Sequence, residues 1–279
     1  MLECKWRIQK HHTDTDITRY NNLWDPYNAT ILRSKDFGAT FERTPLPFKA
    51  GGNTDGRGLG ERIAVDPNQG STLYLGARGG NGLWKSTDYA VSFSKVSSFT
   101  EVGDFPVQPP GGNNPWANPN EIMGPAWITF DEKSGRKGAP TPRIFIGVAK
   151  VSGPTIFWTQ DAGKSWAAVP GQPQQGYIPH KGKLQPIENA LYVSYANTIG
   201  PNGGTEGSVF RFDITNGTWT DITPEKDAFG FGGLSVDLQK PGALIVAALN
   251  KWWPDTREYL RQLLRRHLLR IYRNLPQSG

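Results

Sequence analysis

Apolar positions along this chain fall into short runs that recur in pairs. Ile63-Ala64-Val65-Asp66-Pro67 is followed by Leu73-Tyr74-Leu75-Gly76, and Ile128-Thr129-Phe130-Asp131 by Ile144-Phe145-Ile146-Gly147. The pair returns as Gly182-Lys183-Leu184-Gln185-Pro186 with Leu191-Tyr192-Val193-Ser194, and as Leu234-Ser235-Val236-Asp237 with Leu244-Ile245-Val246-Ala247. Runs of four or five residues rich in Val, Ile, Tyr and Phe, bounded by Pro, Gly and Asn, predict strands.

Between the strand pairs lies a second repeat, a turn phrase of the form S-x-D-x-G-x-[ST]-[WF]. Its copies are Ser34 to Phe41, Ser86 to Phe93 and Thr159 to Trp166, with a degenerate fourth at Phe212 to Trp219. The aspartates, Asp36, Asp88, Asp161 and Asp213, fall 52, 73 and 52 residues apart. That period fits one four-stranded propeller blade per copy. In the phrase a carboxylate accepts hydrogen bonds from the N–H groups of its own turn, glycine supplies a positive φ, and the closing aromatic packs inward. The four aspartates are therefore structural, and none is assigned a catalytic role. The predicted class is all-β: a partial β-propeller of about four antiparallel, four-stranded blades joined through these Asp-box turns.

The pattern stops at both ends. Residues 1–21 hold no strand pair, so they are expected to lie outside the propeller that occupies 22–256. Residues 257–279 place Leu260, Leu264, Leu268 and Ile271 on one helical stripe among arginines, which predicts a basic amphipathic helix. A helix of this kind can lie on an anionic membrane, an alternative ranked below a tail unrelated to the propeller.

Charge bears on partners only through its distribution. The formal net charge is +6, and residues 254–279 carry +4 of it through six arginines against Asp255 and Glu258. A nearly neutral body does not form a groove for duplex phosphates, and no nucleic-acid partner is expected. One cysteine, Cys4, leaves no internal disulfide, and four scattered histidines without a carboxylate cluster predict neither metal nor cofactor. The N-terminus as given shows no apolar leader behind its charges.

Two segments offer groups for a ligand. Trp252 and Trp253 stand directly after a predicted strand, before Pro254-Asp255, and exposed indoles stack on sugar rings while neighbouring polar groups take the hydroxyls. The equally weighted alternative puts one indole in the core. The loop Gly51 to Arg62 holds five glycines in twelve residues, with Asn53, Arg57 and Glu61 among them. It lacks the lysine and helix of a phosphate loop, and is either a ligand-approaching backbone or a plain crossover between blades.

Taken in order, several motifs resemble glycoside hydrolase family 74. They are Trp24-Asp25-Pro26, Arg43-Thr44-Pro45-Leu46-Pro47-Phe48-Lys49, the Gly51 to Arg62 loop and Gly80-Asn81-Gly82-Leu83-Trp84. They continue as Ile178-Pro179-His180-Lys181-Gly182, Phe229-Gly230-Phe231-Gly232-Gly233-Leu234 and Trp252-Trp253-Pro254-Asp255-Thr256. The resemblance implies a pair of seven-bladed propellers facing across an open cleft that holds xyloglucan, an extracellular setting, and inverting hydrolysis by two aspartates. One aspartate belongs to the first blade of the first propeller and the other to the second propeller; neither segment has a counterpart here, so no residue inherits a catalytic role. The resemblance assigns the stacking pair to Trp252 and Trp253 and places Asn53, Arg57, Glu61, Asn81, His180, Lys181 and Asp255 in motifs that line the cleft. The expectation is a xyloglucan-hydrolase-like chain without hydrolytic activity, with a non-catalytic β-1,4-glucan-binding propeller or a protein-interaction scaffold as the alternatives.

Overall fold

The structure, a computed structural model, describes residues 7–9, 28–49, 56, 59, 62–107, 120–173, 176–200, 204–224 and 230–249. These residues form five antiparallel sheets. The first holds β1 (Arg7–Gln9), β2 (Thr30–Arg33) and β3 (Glu42–Pro45). The second holds β4 (Ile63–Val65), β5 (Leu73–Ala77), β6 (Gly82–Ser86) and β7 (Ser94–Lys95). In the third are β8 (Pro125–Phe130), β9 (Ile144–Val148), β10 (Ile156–Thr159) and β11 (Ala167–Ala168). The fourth contains β12 (Ile178–Gln185), β13 (Ala190–Ala196), β14 (Gly207–Asp213) and β15 (Thr218–Asp221), and the fifth β16 (Gly230–Val236) and β17 (Leu244–Leu249). Strands within a sheet neighbour one another in chain order, the meander of a propeller blade. We number the sheets as blades one to five. The all-β partial propeller expected from the repeat is thus the fold, with three complete blades and two partial ones among the described residues.

One short stretch departs from the expectation. Arg7-Ile8-Gln9, placed outside the propeller by its lack of a strand pair, adds an edge strand to blade one: Arg7 lies opposite Leu32 and Gln9 opposite Thr30. Three residues are too few to show a period, so pairing with a neighbour decides their conformation. The tail helix expected over 257–279 lies outside the described residues.

The second strand of each complete blade is buried along its whole length: β5 (LYLGA), β9 (IFIGV) and β13 (ALYVSYA) have no exposed residue. Both faces of these strands meet a neighbouring blade, which is why they read as continuous apolar runs rather than alternating ones. The cores accordingly lie between blades. Tyr74 and Leu83 of blade two pack with Ile128, Ile146 and Phe157 of blade three. Phe145 and Ile156 of blade three pack with Leu191, Val193 and Phe212 of blade four. Trp127, from β8, fills the latter seam. A Cβ at Gly147 would stand 2.3 Å from its ring and a Cβ at Gly182 2.4 Å from it, so each glycine lets a strand approach the indole.

The turn phrases close the hairpins from third to fourth strand in blades two to four, and the β2–β3 hairpin in blade one. Asp36 accepts from Thr40 N–H (2.9 Å), Asp88 from Ser92 N–H (3.0 Å) and Asp161 from Ser165 N–H (2.9 Å). Two consecutive residues adopt positive φ, not glycine alone: Phe37 (58°) with Gly38 (90°), Tyr89 (60°) with Ala90 (63°), and Ala162 (61°) with Gly163 (87°). Ala90 stands where the first and third phrases have glycine, and the turn keeps its bonds, since Ala90 N–H donates to Ser86 Oγ (2.9 Å). In the degenerate copy Asp213 accepts from Thr215 and Asn216 N–H in a shorter loop, and Gly217 carries the positive φ.

The turns also stitch blades together. Thr44 Oγ1 donates to the Ala90 carbonyl (2.6 Å), and Tyr74 Oη donates to the Ala162 carbonyl (3.1 Å). Trp166, the closing aromatic of the third phrase, packs edge-on against Phe99 and Tyr74 of blade two. Phe41, its counterpart in the first phrase, is half exposed (50 %) rather than packed inward. The aromatic is received by the preceding blade, and no blade before β1–β3 is among the described residues.

Candidate functional site

In each four-stranded meander the first and third hairpins open to one end of the propeller, and the second hairpin, with the start of the first strand, to the opposite end. The Asp boxes therefore occupy one end. Asn81, in the β5–β6 hairpin, and His180 and Lys181, at the start of β12, occupy the other. Gly56, from the glycine-rich loop, and Leu249, the end of β17, join them there: Gly56 N–H donates to the Gly200 carbonyl (3.0 Å), and a Cβ at Gly200 would meet the Leu249 side chain at 3.3 Å. Asn53, Arg57, Glu61, Trp252, Trp253 and Asp255 lie outside the described residues.

Asn81 is used locally. Its Nδ2 donates to the Arg78 carbonyl (2.7 Å) while its own carbonyl accepts from Trp84 Nε1 (3.0 Å), closing the β5–β6 hairpin. Lys181 is half-buried on β12. His180 is only 2 % exposed and sits in a β-bulge, where the register of β12 against β13 shifts between Pro179 and Lys181. A bulge leaves one residue outside the ladder and turns its side chain aside. Here it aims the ring at the backbone, and Nε2 donates to the Thr198 carbonyl (2.6 Å). Burial, opposed by that hydrogen bond and helped by the charge of Lys181, brings the imidazole down to about 4, so the ring is neutral at pH 7. The buried ring is thereby bonded to the backbone of the loop after β13.

Sequence reasoning missed a buried charged group at the same end. Arg78 is 1 % exposed and pairs through Nε with Glu121 Oε1 at 2.6 Å. Arg62, at the end of the glycine-rich loop, donates from Nη2 to the Gly56 carbonyl (2.7 Å). Burial and then the neighbouring Arg78 pull the Arg62 guanidinium down to about 10, with Glu121 acting in the opposite sense. Both arginines are visible in the sequence, but nothing in the local pattern joins residues from two loops and the lead into β8. A small apolar plug of Leu59, Val107, Met123, Ala149, Ile178 and Ile199 is contributed by successive blades. Gly56 needs its positive φ of 74°, and a Cβ there would lie 2.8 Å from Met123 Sδ.

The described acidic residues at this end each have a partner: Glu101 with Lys150 Nζ (2.6 Å), Asp104 with Val151 N–H (2.7 Å), Glu121 with Arg78, and Glu206 with Tyr177 Oη (2.9 Å). The arrangement is a hydrogen-bonded platform of loops.

Comparison with known proteins agrees with the propeller fold. No family model matches the chain. A xyloglucanase from Hypocrea jecorina (strain QM6a) is 54% identical over 242 residues, which are 86% of this chain and 28% of that protein. A xyloglucanase from Paenibacillus sp. is 49% identical over 244 residues, 86% of this chain and 23% of that protein. The crystal structure of the family 74 xyloglucanase from Xanthomonas campestris superposes with a TM-score of 0.68 at 37% identity, covering 78% of this chain and 31% of that one. The chain matches a segment of glycoside hydrolase family 74 xyloglucanases. It spans about a quarter of the length of the curated relatives it matches. The described blades thus match part of a family 74 propeller, and among the described residues the family-like stretches 46–49, 80–84, 178–182 and 230–234 lie toward the end that carries Asn81, His180 and Lys181.

Proposed function

We propose that this chain carries part of the xyloglucan-facing surface of a family 74 hydrolase and grips the β-1,4-glucan backbone without cutting it. The observation that supports this reading is the segregation of the propeller's two ends. Asp36, Asp88, Asp161 and Asp213 stabilise hairpins at one, while Asn81, His180, Lys181, Gly56 and the exit of β17 toward Trp252-Trp253 gather at the other. Indole faces take the apolar C–H faces of glucose units, and peptide and side-chain groups take the hydroxyls.

Inverting hydrolysis needs two carboxyl groups with a water between them, one protonating the leaving oxygen and one activating the water. The family resemblance assigns neither group to a residue of this chain, and the described carboxylates Glu101, Asp104, Glu121 and Glu206 at this end are already engaged. The relatives' names make xyloglucan the polysaccharide to test, and an extracellular setting goes with it.

The test pairs two measurements on the purified chain. Incubation with xyloglucan is expected to release no new reducing ends, and electrophoresis through a xyloglucan gel is expected to retard the protein. Trp252→Ala with Trp253→Ala abolishes the retardation. New reducing ends would overturn the non-hydrolytic reading; an unretarded wild type would favour a scaffold for protein partners.

A further inference from the structure

Three of the segments that converge on the carbohydrate-facing end meet at one corner of the β13–β14 loop, Thr198 to Gly200. The Thr198 carbonyl accepts from His180 Nε2 (2.6 Å), and the Gly200 carbonyl accepts from Gly56 N–H (3.0 Å). Gly200, at φ 66°, lies against Leu249, with room for a Cβ only at 3.3 Å from its Cδ2 and 3.8 Å from His180 Cε1. Gly56 is held from its other side by Arg62 Nη2.

His180 occupies a position that the repeat treats differently elsewhere. The first strands of blades three, four and five each carry a bulge near this end, between Pro125 and Trp127, between Pro179 and Lys181, and between Phe231 and Gly233. The residues left outside the ladder are Ala126, His180 and Gly232. Two of the three have no side-chain polar group, so the bulge itself does not call for an imidazole. Burying one in blade four costs desolvation that the bond to Thr198 offsets.

We infer that His180 is a positioning residue for this end of the propeller: its Nε2–H fixes the Thr198–Gly200 corner, which seats the backbone at Gly56 on one side and the end of β17 on the other. The bulge turns the ring toward the corner, and the corner carries the effect across from blade four to the loop entering blade two and to blade five. The consequence for ligand rests on the carbohydrate reading above; the consequence for the Gly56 amide does not.

The experiment compares His180→Gln, whose amide keeps a donor near the position of Nε2, with His180→Leu, which has none. Hydrogen exchange by NMR reads the Gly56 amide, with Ile146 in the buried β9 as the internal control, and the xyloglucan gel reads binding. In the leucine variant Gly56 exchange is expected to rise about tenfold or more, with retardation weakened by a similar factor, while Ile146 stays protected. The glutamine variant is expected to restore both to within about threefold. Unchanged Gly56 protection in the leucine variant overturns the inference. If that variant also loses protection at Ile146, His180→Asn, polar but too short to reach Thr198, takes its place, and a protected Gly56 there overturns the inference. A Gly56 response with a wild type that xyloglucan does not retard leaves the positioning role standing and removes the carbohydrate reading; retardation with no Gly56 response does the reverse.

Discussion

The neutral imidazole of His180 ties stability to pH over a defined window. An unfolded chain binds a proton at this ring near 6.5, the folded one near 4. Between those values the unfolded state holds more protons, so stability is full above pH 6.5 and falls as the pH drops toward 4. The shift corresponds to about 3 kcal/mol over the window. Thermal unfolding should therefore show Tm falling between pH 6.5 and 4, and His180→Gln should flatten that slope. An unchanged slope in the variant would place the titrating group elsewhere. The Asp boxes act lower. The Thr40 hydroxyl and N–H hold Asp36 down to about 2, and the Ser92 hydroxyl and N–H do the same for Asp88. Their contribution is present above the ordinary carboxylate value of 3.8 and is lost as pH falls toward 2. Replacing Asp88 with Asn is thus expected to reduce the loss of Tm below pH 4 and leave the histidine step in place, which a pH series on the variant checks.

Elements in this propeller are held by what passes between blades, and the glycines that face Trp127 show how closely. Gly147→Ala and Gly182→Ala each drive a methyl into the indole from a different strand, so each should destabilise the chain by about 3 kcal/mol in denaturant titration. A cost below about 1 kcal/mol would mean that the seam can open. Gly163→Ala tests the neighbouring stitch, since its Cβ would approach Tyr74 Oη to 2.3 Å. The strands and Asp-box hairpins behind these contacts were legible in the sequence because they rest on local signals: apolar runs buried on both faces, and a carboxylate four residues from the amide it receives. The three bulges were not legible, because Ala126, His180 and Gly232 share no residue type and one extra residue leaves no mark on a run so short. Nor was the edge strand Arg7–Gln9, whose conformation comes from pairing with β2. The pairing of Arg78 with Glu121 joins residues more than forty positions apart, which no periodicity reports.

For the whole molecule, charge and binding are expected to separate. Removing residues 257–279 takes away six arginines and Glu258 and leaves a formal net charge of +1. Electrostatic retention depends on clustered cations and falls steeply with salt, whereas stacking of glucose on indoles carries no net charge across the contact. The shortened chain should elute from heparin near the void volume at low salt, where the full chain is retained, and xyloglucan should retard the two equally in gels at any salt. The convergence at the propeller's end explains why. His180, Gly56 and Leu249 are tied together within residues 56–249, ahead of the basic tail, and Trp252-Trp253 follow β17 in the sequence after Asn250 and Lys251. Loss of xyloglucan retardation on removal of the tail would show that the arginine-rich segment, not the loop platform, makes the contact with glucan.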